Sequence, residues 1–454
     1  MDVGHDRGNG QNDGHGQCCA TRIMDKMMAL PREWAEILPW AACLGCTFSA
    51  RLLTVVLNSF QLERGYASNS SRPSSDSTSN DKVSQASVET GAAQWLDLCV
   101  QEGFIEKKKQ TNSGDGDGGD DTAYYCWVHD KVQEAALALV QPEKLKMVQF
   151  HVGQVLLDNL TLPEISENIF VVTNLLNQGL DLELEDFPAP PTDCLRMAML
   201  NLEAGHAAMS LASFGQAISY LKTGIECLPV DHWTNQYALS MELYSSAAEA
   251  AYGVGNAEQV EAYANAIIEQ PNRPVSDKFR AYNVLIPSIG NRNKIHEACD
   301  MILNLLRDLQ CSIPKNFQFF HVLKGLMITK SVVKQVEPNE FVVSWKEMTE
   351  ENQVQAMSML DKLATYAYYI DGSLLLPLAI LKSFRMTIDY GVSEFSPPAF
   401  ALVGLILCAQ LQVSLFPTPL PGTLTCFLTI LFLASIRLFR IIKAVENTPK
   451  LRCP

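Results

Sequence analysis

The sequence predicts a mainly α-helical chain whose helices stack in antiparallel pairs. From Leu195 to Gln270, apolar and small residues recur at helical spacing. The pattern breaks near Ser213, from Pro229 to Trp233 and from Gly253 to Asn256, which predicts four helices arranged as two pairs. A proline favours the end of a helix because it cannot continue the backbone hydrogen-bond ladder.

A repeat accompanies these pairs. The second helix of each pair carries small or apolar residues at matching offsets, and a third copy follows along the chain. The matching positions are Ala217, Leu221, Gly224 and Pro229, then Val260, Ala264, Ile267 and Pro271, then Ala298, Ile302 and Leu305, with the last proline at Pro314. A period of roughly 38 to 43 residues is that of helix-pair solenoids of the tetratricopeptide (TPR) type, which we predict over residues 156–411. The alternative is an irregular bundle whose spacings match by chance.

Charge and cysteine content limit the partners and the compartment. The net charge of −15 and the pI near 5.0 argue against nucleic acid as a partner, because phosphate binding needs surfaces rich in Lys and Arg. The 13 cysteines follow no disulfide-framework spacing, so we predict free thiols and a reducing, cytoplasmic location. Residues 1–22 have the composition of a disordered leader and lack the apolar core of a signal peptide.

Residues 23–155 predict a winged-helix-like module. Two helices are expected between Leu30 and Leu57, a third over residues 92–102, and two strands, Phe104-Ile105 and Tyr124–Val128, that form a hairpin wing. The polar stretches 62–90 and 110–122 are predicted to be disordered insertions. The third helix presents Asp97 and Glu102 but no Lys or Arg, and would therefore repel DNA.

Two short motifs suggest chemistry but are better explained as structure. Cys43 and Cys46 form a CxxC pair, yet no second Cys pair or His stands at the spacing of a zinc finger, which favours core packing. His129-Asp130 with Gln133 is typical of a helix start, with Asp130 as the cap and Gln133 bonding back to it. A catalytic His-Asp pair would need a nucleophile beside it, and the sequence supplies none.

Three stretches, WVHDKVQEAALALV, LNLEAGHAAMS and AEAAYGVGNAEQVE, occur in this order along the chain. They resemble the region that follows the ATPase core in large hybrid signalling proteins of the STAND (AAA-like) class, which are often fused to kinase or cyclase domains. The matching positions are His129, Asp130, Val132, Gln133, Asn201, Gly205, Trp233, Tyr237 and Glu249. The resemblance covers about residues 23–406 and implies structural roles for these residues in a winged-helix module and TPR-like repeats.

The sequence lacks the residues that an ATPase core needs. The chain has no GxxxxGK[ST] loop to hold phosphates and no apolar strand ending in paired acids for Mg²⁺, and in the resembling family these lie upstream. We therefore predict no catalytic residues, no cofactor and no metal. The favoured function is a non-catalytic regulatory module that binds protein partners on its helical repeats. The alternative is a fragment or trans-acting subunit of an ATP-dependent signalling enzyme.

The C-terminus combines two apolar segments. No charged residue occurs between Glu394 and Arg437. We predict that Ala399 to Leu411 is a buried helix of the solenoid, since an apolar helix of this length is short for a membrane span. Residues 412–454 are predicted to be a hydrophobic tail, in which residues 423–442 are just long enough for a membrane anchor.

Overall fold

The structure, a computed structural model, describes residues 23–68, 92–108, 123–181, 194–314, 318–335, 346–370 and 372–415. Helices dominate these residues, and a small three-stranded sheet is the other regular element among them. The predicted mainly α-helical class is therefore confirmed. The chain divides into two compact units, Met1–Leu243 and Tyr244–Pro454.

The first unit begins with helices that alternate with short strands. In chain order these are α1 (residues 23–28), α2 (Arg32–Ala35), α3 (Leu38–Cys43), β1 (Thr47–Ser49), α4 (Ala50–Ser68), α5 (residues 92–101), β2 (Ile105–Lys108) and β3 (Tyr124–Trp127). The first predicted helix is split into α2 and α3. Pro39 lies in the first turn of α3 and has no N–H with which to continue a helix from α2. Gly45, with φ of +108°, then turns the chain into β1, a strand that the sequence analysis did not predict.

The sheet has the order β1-β3-β2, and both outer strands run antiparallel to β3. Phe48 of β1 lies opposite Tyr125, and Ile105 of β2 lies opposite Trp127. All four side chains are buried, and the Phe48 ring lies 6.2 Å from that of Trp127. The Trp127 indole N–H donates to the Gly45 carbonyl at 3.2 Å. The strands predicted around residues 104–105 and 124–128 are present and pair as a hairpin.

The described residues after β3 in the first unit form helices. Its elements are α6 (Asp130–Leu137), α7 (Pro142–Asn159), α8 (Leu162–Glu167), α9 (Ile169–Asn177), a 3-10 turn (Gln178–Asp181), α10 (Cys194–Ser210), α11 (Phe214–Glu226), α12 (His232–Asn235) and the beginning of α13 (Tyr237–Val254). A capping box starts α8, where the Thr161 backbone N–H and hydroxyl both donate to Glu164 Oε2 at 2.8 Å. Helix α7 packs on α9, and α10 packs on α11.

The described residues of the second unit form helices, with an isolated bridge between Glu347 and Val392. After the end of α13 come α14 (Ala257–Ile268), α15 (Val275–Asn291), α16 (Ile295–Asp308), α17 (Phe319–Gln335), α18 (Glu351–Tyr368), α19 (Leu375–Tyr390) and α20 (Ser396–Leu415). Consecutive helices from α14 to α16 pack on one another, and α19 packs on α17, α18 and α20. A core cluster joins these last helices through Val322, Leu326, Ile380, Leu381, Phe384 and Val403.

The small residues of the predicted repeat lie in the cores of the units. Ala217 in α11, Val260 and Ala264 in α14, and Ala298 in α16 are each fully buried, with no exposed side-chain surface. Their burial permits close helix approach, because a small side chain leaves room for the neighbouring backbone.

The turns that follow four helices share one backbone geometry. A residue other than glycine has a positive φ just after α10, α14, α15 and α16. These residues are Ala212, Asn272, Asn293 and Gln310, with φ between 56° and 62°. After α10, the Ser213 N–H reaches back to the Ala208 carbonyl at 2.9 Å, which satisfies a carbonyl in the last helical turn.

Two predicted boundaries meet the limits of the described residues. Helix α4 extends to Ser68 and so includes the start of the predicted insertion 62–90. The rest of that insertion, the leader 1–22 and the loop 110–122 lie outside the described residues. Helix α20 packs on α19 and buries Val403. Among the described helices, none combines the length and apolarity of a membrane span. The segment 423–442 lies outside the described residues.

Candidate protein-binding surface

The stretch WVHDKVQEAALALV contains the start of α6. His129 has an extended backbone, and its Nδ1 accepts a hydrogen bond from the Lys131 N–H at 3.0 Å. The N-cap is therefore His129, and the expected assignment of Asp130 as the cap is corrected. Asp130 is instead the first helical residue, where its carboxylate interacts favourably with the helix N-terminus. Val132, two residues farther along, is buried.

Gln133 connects α6 to a distant helix. Its Nε2 donates to the Ala42 carbonyl in the last turn of α3 at 2.8 Å, rather than bonding back to the helix start as expected. Carbonyls at the end of a helix lack partners within that helix, so a side-chain donor from a neighbour satisfies them. This bond joins segments that are 91 residues apart in the chain.

Replacing Gln133 with methionine should lower the free energy of unfolding by about 1–2 kcal/mol, because it removes the donor at nearly constant volume. Urea denaturation followed by circular dichroism measures the change. The matched control is Lys131→Met on the same helix, since Lys131 pairs only with Glu134 at the surface and should change stability by less than about 0.5 kcal/mol. Equal stabilities of the two variants would contradict a structural role for Gln133.

Asn201 and Gly205 hold α10 in its place. Asn201 is fully buried, and its side-chain amide exchanges two hydrogen bonds of 2.9 Å with that of Asn177 at the end of α9. One turn later on α10, an added Cβ at Gly205 would lie 2.7 Å from the Leu221 side chain of α11. The pair α10–α11 therefore packs at a distance that only glycine allows here.

Trp233 and Tyr237 belong to the connection between α11 and α13. The Trp233 ring lies 5.1 Å from the His232 ring and 6.3 Å from the Tyr237 ring, measured between centroids. His232 Nδ1 lies 2.8 Å from the Ser240 hydroxyl, and burial lowers the pKa of His232 while the nearby Asp231 opposes that shift. These contacts fold the connection as α12 and fix the start of α13.

Glu249 fastens α13 to α15. The Arg280 guanidinium donates two hydrogen bonds to its carboxylate, Nε to Oε1 at 3.0 Å and an Nη to Oε2 at 3.1 Å. Such bidentate pairs fix geometry as well as charge. Of the nine family-motif positions, the structure brings Trp233 and Tyr237 into contact and keeps residues 129–133 as one helix start. Asn201 and Gly205 lie one turn apart on α10, and Glu249 lies on α13, so the structure does not gather the nine positions in one place.

Cys43 and Cys46 do not present a matched pair of thiols. Cys43 is buried, and burial raises the pKa of its thiol to about 12, whereas Cys46 is exposed. Thiolate is the form that binds metal or attacks a disulfide. Cys43 therefore packs as a core residue. Within the described residues, His, Cys, Asp and Glu do not gather in groups of three or more suited to a metal ion.

A groove in the second unit is lined by three consecutive helices. It is a cleft of about 340 Å³ formed by α14, α15 and α16. Helix α16 supplies one wall with Glu297, Asp300, Met301, Asn304, Leu305 and Asp308. These residues recur at helical spacing and so form one stripe along the helix. We call this cleft the α16 groove. None of the residues that line it is among the nine family-motif positions.

The floor of the α16 groove is apolar and its rim is acidic. Ile268 of α14 and Leu285 of α15 lie opposite the apolar side chains of α16. Tyr282 also lines it, and burial raises the pKa of its phenol, with the charge of Asp308 as a second cause. Glu297 forms a surface ion pair with Lys294 at 3.1 Å. The residues that line the groove include three carboxylates and no Lys or Arg.

Comparison with known proteins gives one relationship. In an alignment of 330 residues that covers 62% of this chain, the sequence is 20% identical to Hybrid signal transduction histidine kinase G of Dictyostelium discoideum. The chain is thus related to a signalling protein. It spans 9% of the length of that relative. No model of a known protein family matches the chain, and no solved structure matches it.

Proposed function

We propose that this chain is a non-catalytic, cytoplasmic interaction module of a STAND-type signalling ATPase, which binds segments of partner proteins on its TPR-like repeats. The observation that carries the proposal is the α16 groove, a solvent-open cleft with an apolar floor on stacked helices. Stacked helix pairs build extended surfaces of this kind without catalytic residues.

The order of elements supports a winged-helix-like assignment for the N-terminal module. From α3 to β3 the chain runs helix, strand, helix, helix, strand, strand, and β1 pairs with β3. Asp97 is exposed on α5, and Lys26 makes an ion pair with Glu102 at 3.3 Å. Lys107 and Lys108 are exposed on β2 beside Glu106. This mixed, partly acidic surface disfavours DNA and favours a role in protein contact.

The repeated helix pairs support the TPR-like assignment. The pairs α10–α11, α13–α14 and α15–α16 follow one another, and each second helix buries small residues at the predicted offsets. The Tyr244 and Tyr263 rings meet edge to face at 6.2 Å between α13 and α14. Similar units stacked in sequence are the basis of solenoid surfaces.

Peptide selection on the immobilised full chain tests the proposal. A phage-displayed library of random 16-residue peptides should yield sequences that bind as free peptides with micromolar affinity. Hydrogen exchange should then show protection within residues 194–308. The heat-unfolded chain serves as the control surface and should retain none of them. A library that yields no binders, or only binders that protect residues outside the repeats, would overturn the proposal.

The alternative is a fragment or trans-acting subunit of an ATP-dependent signalling enzyme, and one observation favours it. The related protein is named as a histidine kinase and is far longer than this chain. Calorimetric titration of the same preparation with Mg-ATP separates the two. We expect no heat of binding, because phosphates and Mg²⁺ need donors and paired acids that the sequence lacks. Micromolar affinity would favour the enzyme.

A further inference from the structure

We propose that the α16 groove binds a cationic amphipathic segment of a partner protein. This inference rests on the proposed function and adds the chemistry of the partner. The argument begins with the shape of the site. From Glu297 to Asp308 the wall is a single helical stripe, which extends over roughly 17 Å at 1.5 Å per residue. A groove of that length accommodates about three turns of a helix.

The apolar floor requires an apolar face on the partner. Leu305 and Leu285 are buried at the bottom of the groove, and Ile268 and Met301 are half-buried above them. Side chains that are half-buried without a partner gain from contact with an apolar surface. Amphipathic helices dock in such grooves through apolar residues spaced three and four positions apart.

The acidic rim selects the charge of the partner. Asp300 and Asp308 are exposed on α16, eight residues apart, and Glu297 lies three residues before Asp300. Lys294 offsets part of the charge of Glu297 through its ion pair. Asp300 and Asp308 add two further negative charges to the rim. Lys or Arg side chains beside an apolar stripe would complete this pattern, since complementary charge speeds association and excludes acidic competitors.

The groove also differs from a second cleft in the same unit. That cleft is lined by Lys382 and Arg385, with Leu378 and Leu381 on its wall. An acidic segment would be attracted there and repelled from the α16 groove. A cationic probe and an acidic probe of equal apolar pattern therefore distinguish the two surfaces.

The test uses the full chain and two fluorescein-labelled 14-residue helical peptides, one of Lys and Leu and one of Glu and Leu with the same leucine positions. Fluorescence anisotropy should show binding of the Lys/Leu peptide alone, with an affinity that falls several-fold between 50 and 300 mM salt. The groove variant Glu297→Gln, Asp300→Asn, Asp308→Asn should bind it at least tenfold more weakly. Met301→Ala should weaken binding about threefold.

A charge-matched control separates the groove from the general acidity of the chain. The variant Glu143→Gln, Glu167→Gln, Glu203→Gln removes the same number of charges from exposed positions in the first unit. It should bind within twofold of the unmodified chain. Circular dichroism melting checks that both variants are folded. Equal weakening in the two variants, or equal binding of the Glu/Leu peptide, would overturn the inference.

The outcome is distinguishable from failure of the proposed function. Selected peptides that protect the repeats but lack basic residues, and that bind the groove variant unchanged, would leave the interaction module standing and reject the cationic partner. If the library yields no peptide bound to the repeats, the proposed function itself fails. Protection of residues 295–308 by the Lys/Leu peptide supports both.

Discussion

Replacing Ala217 with arginine is expected to lower the free energy of unfolding by about 4 kcal/mol, because it places a charge without a partner in a closed helix contact. Ala217 has no exposed surface in α11. The guanidinium would have to remain buried or force α10 and α11 apart. Either outcome removes buried apolar contact from the core of the first unit.

Thermal and urea denaturation of the full chain measure this loss. The matched control is Ser219→Arg, two residues farther along α11 on its exposed side, which should change stability by less than about 0.5 kcal/mol. If Ala217→Arg melted at the same temperature as the control, the register of the repeat would be wrong, since Ala217 would then face solvent.

Replacing Gly391 with alanine is expected to cost about 3 kcal/mol of stability or more, from two sources of strain. Its φ of +115° with an extended ψ lies in a region that is essentially restricted to glycine. An added Cβ would also lie 2.5 Å from the Lys346 carbonyl oxygen. That same carbonyl accepts the Val392 N–H at 2.8 Å, so the methyl group would push apart the strand-like contact between the two segments.

Gly372→Ala is the matched control for this variant. Gly372 also has a positive φ, of +67°, but an added Cβ there meets no atom within 4 Å. The Gly372→Ala variant should lose about 1 kcal/mol of its free energy of unfolding, from backbone strain alone. Calorimetric melting of the two variants gives the difference. Equal losses would show that the Lys346 contact does not constrain Gly391.

Local periodicity predicts most of the helices, and packing decides the exceptions. Helix pairs such as α10–α11 follow from apolar residues at helical spacing, because burial of one face drives their formation. Strand β1, Thr47-Phe48-Ser49, has only three residues, and so short an alternation does not stand out between two helical segments. Its pairing with β3 provides the deciding signal. Pro39 is a local sign that the helix is divided, but the apolar residues on both sides of it suggest one continuous helix.

The candidate sites show the same division between local and distant causes. His129 as an N-cap departs from the usual preference for Ser, Thr, Asp or Asn, so propensity favours its neighbour Asp130. Gln133 and Glu249 find partners 91 and 31 residues away, which no local rule supplies. The acidic stripe of α16 is visible in the sequence. Its apolar opposite wall depends on how α14 and α15 pack.

The left-handed turns after α10 and α16 have a consequence for engineering. Asn272 and Asn293 are residue types that tolerate a positive φ, whereas Ala212 and Gln310 adopt it against the preference of their Cβ atoms. The backbone hydrogen bonds that close these two turns therefore hold Ala212 and Gln310 in a backbone conformation that their side chains disfavour. Glycine fits such a turn without strain, so replacing Ala212 and Gln310 with glycine is a route to higher thermal stability. These changes leave the helix faces, and any ligand surface on them, unaltered.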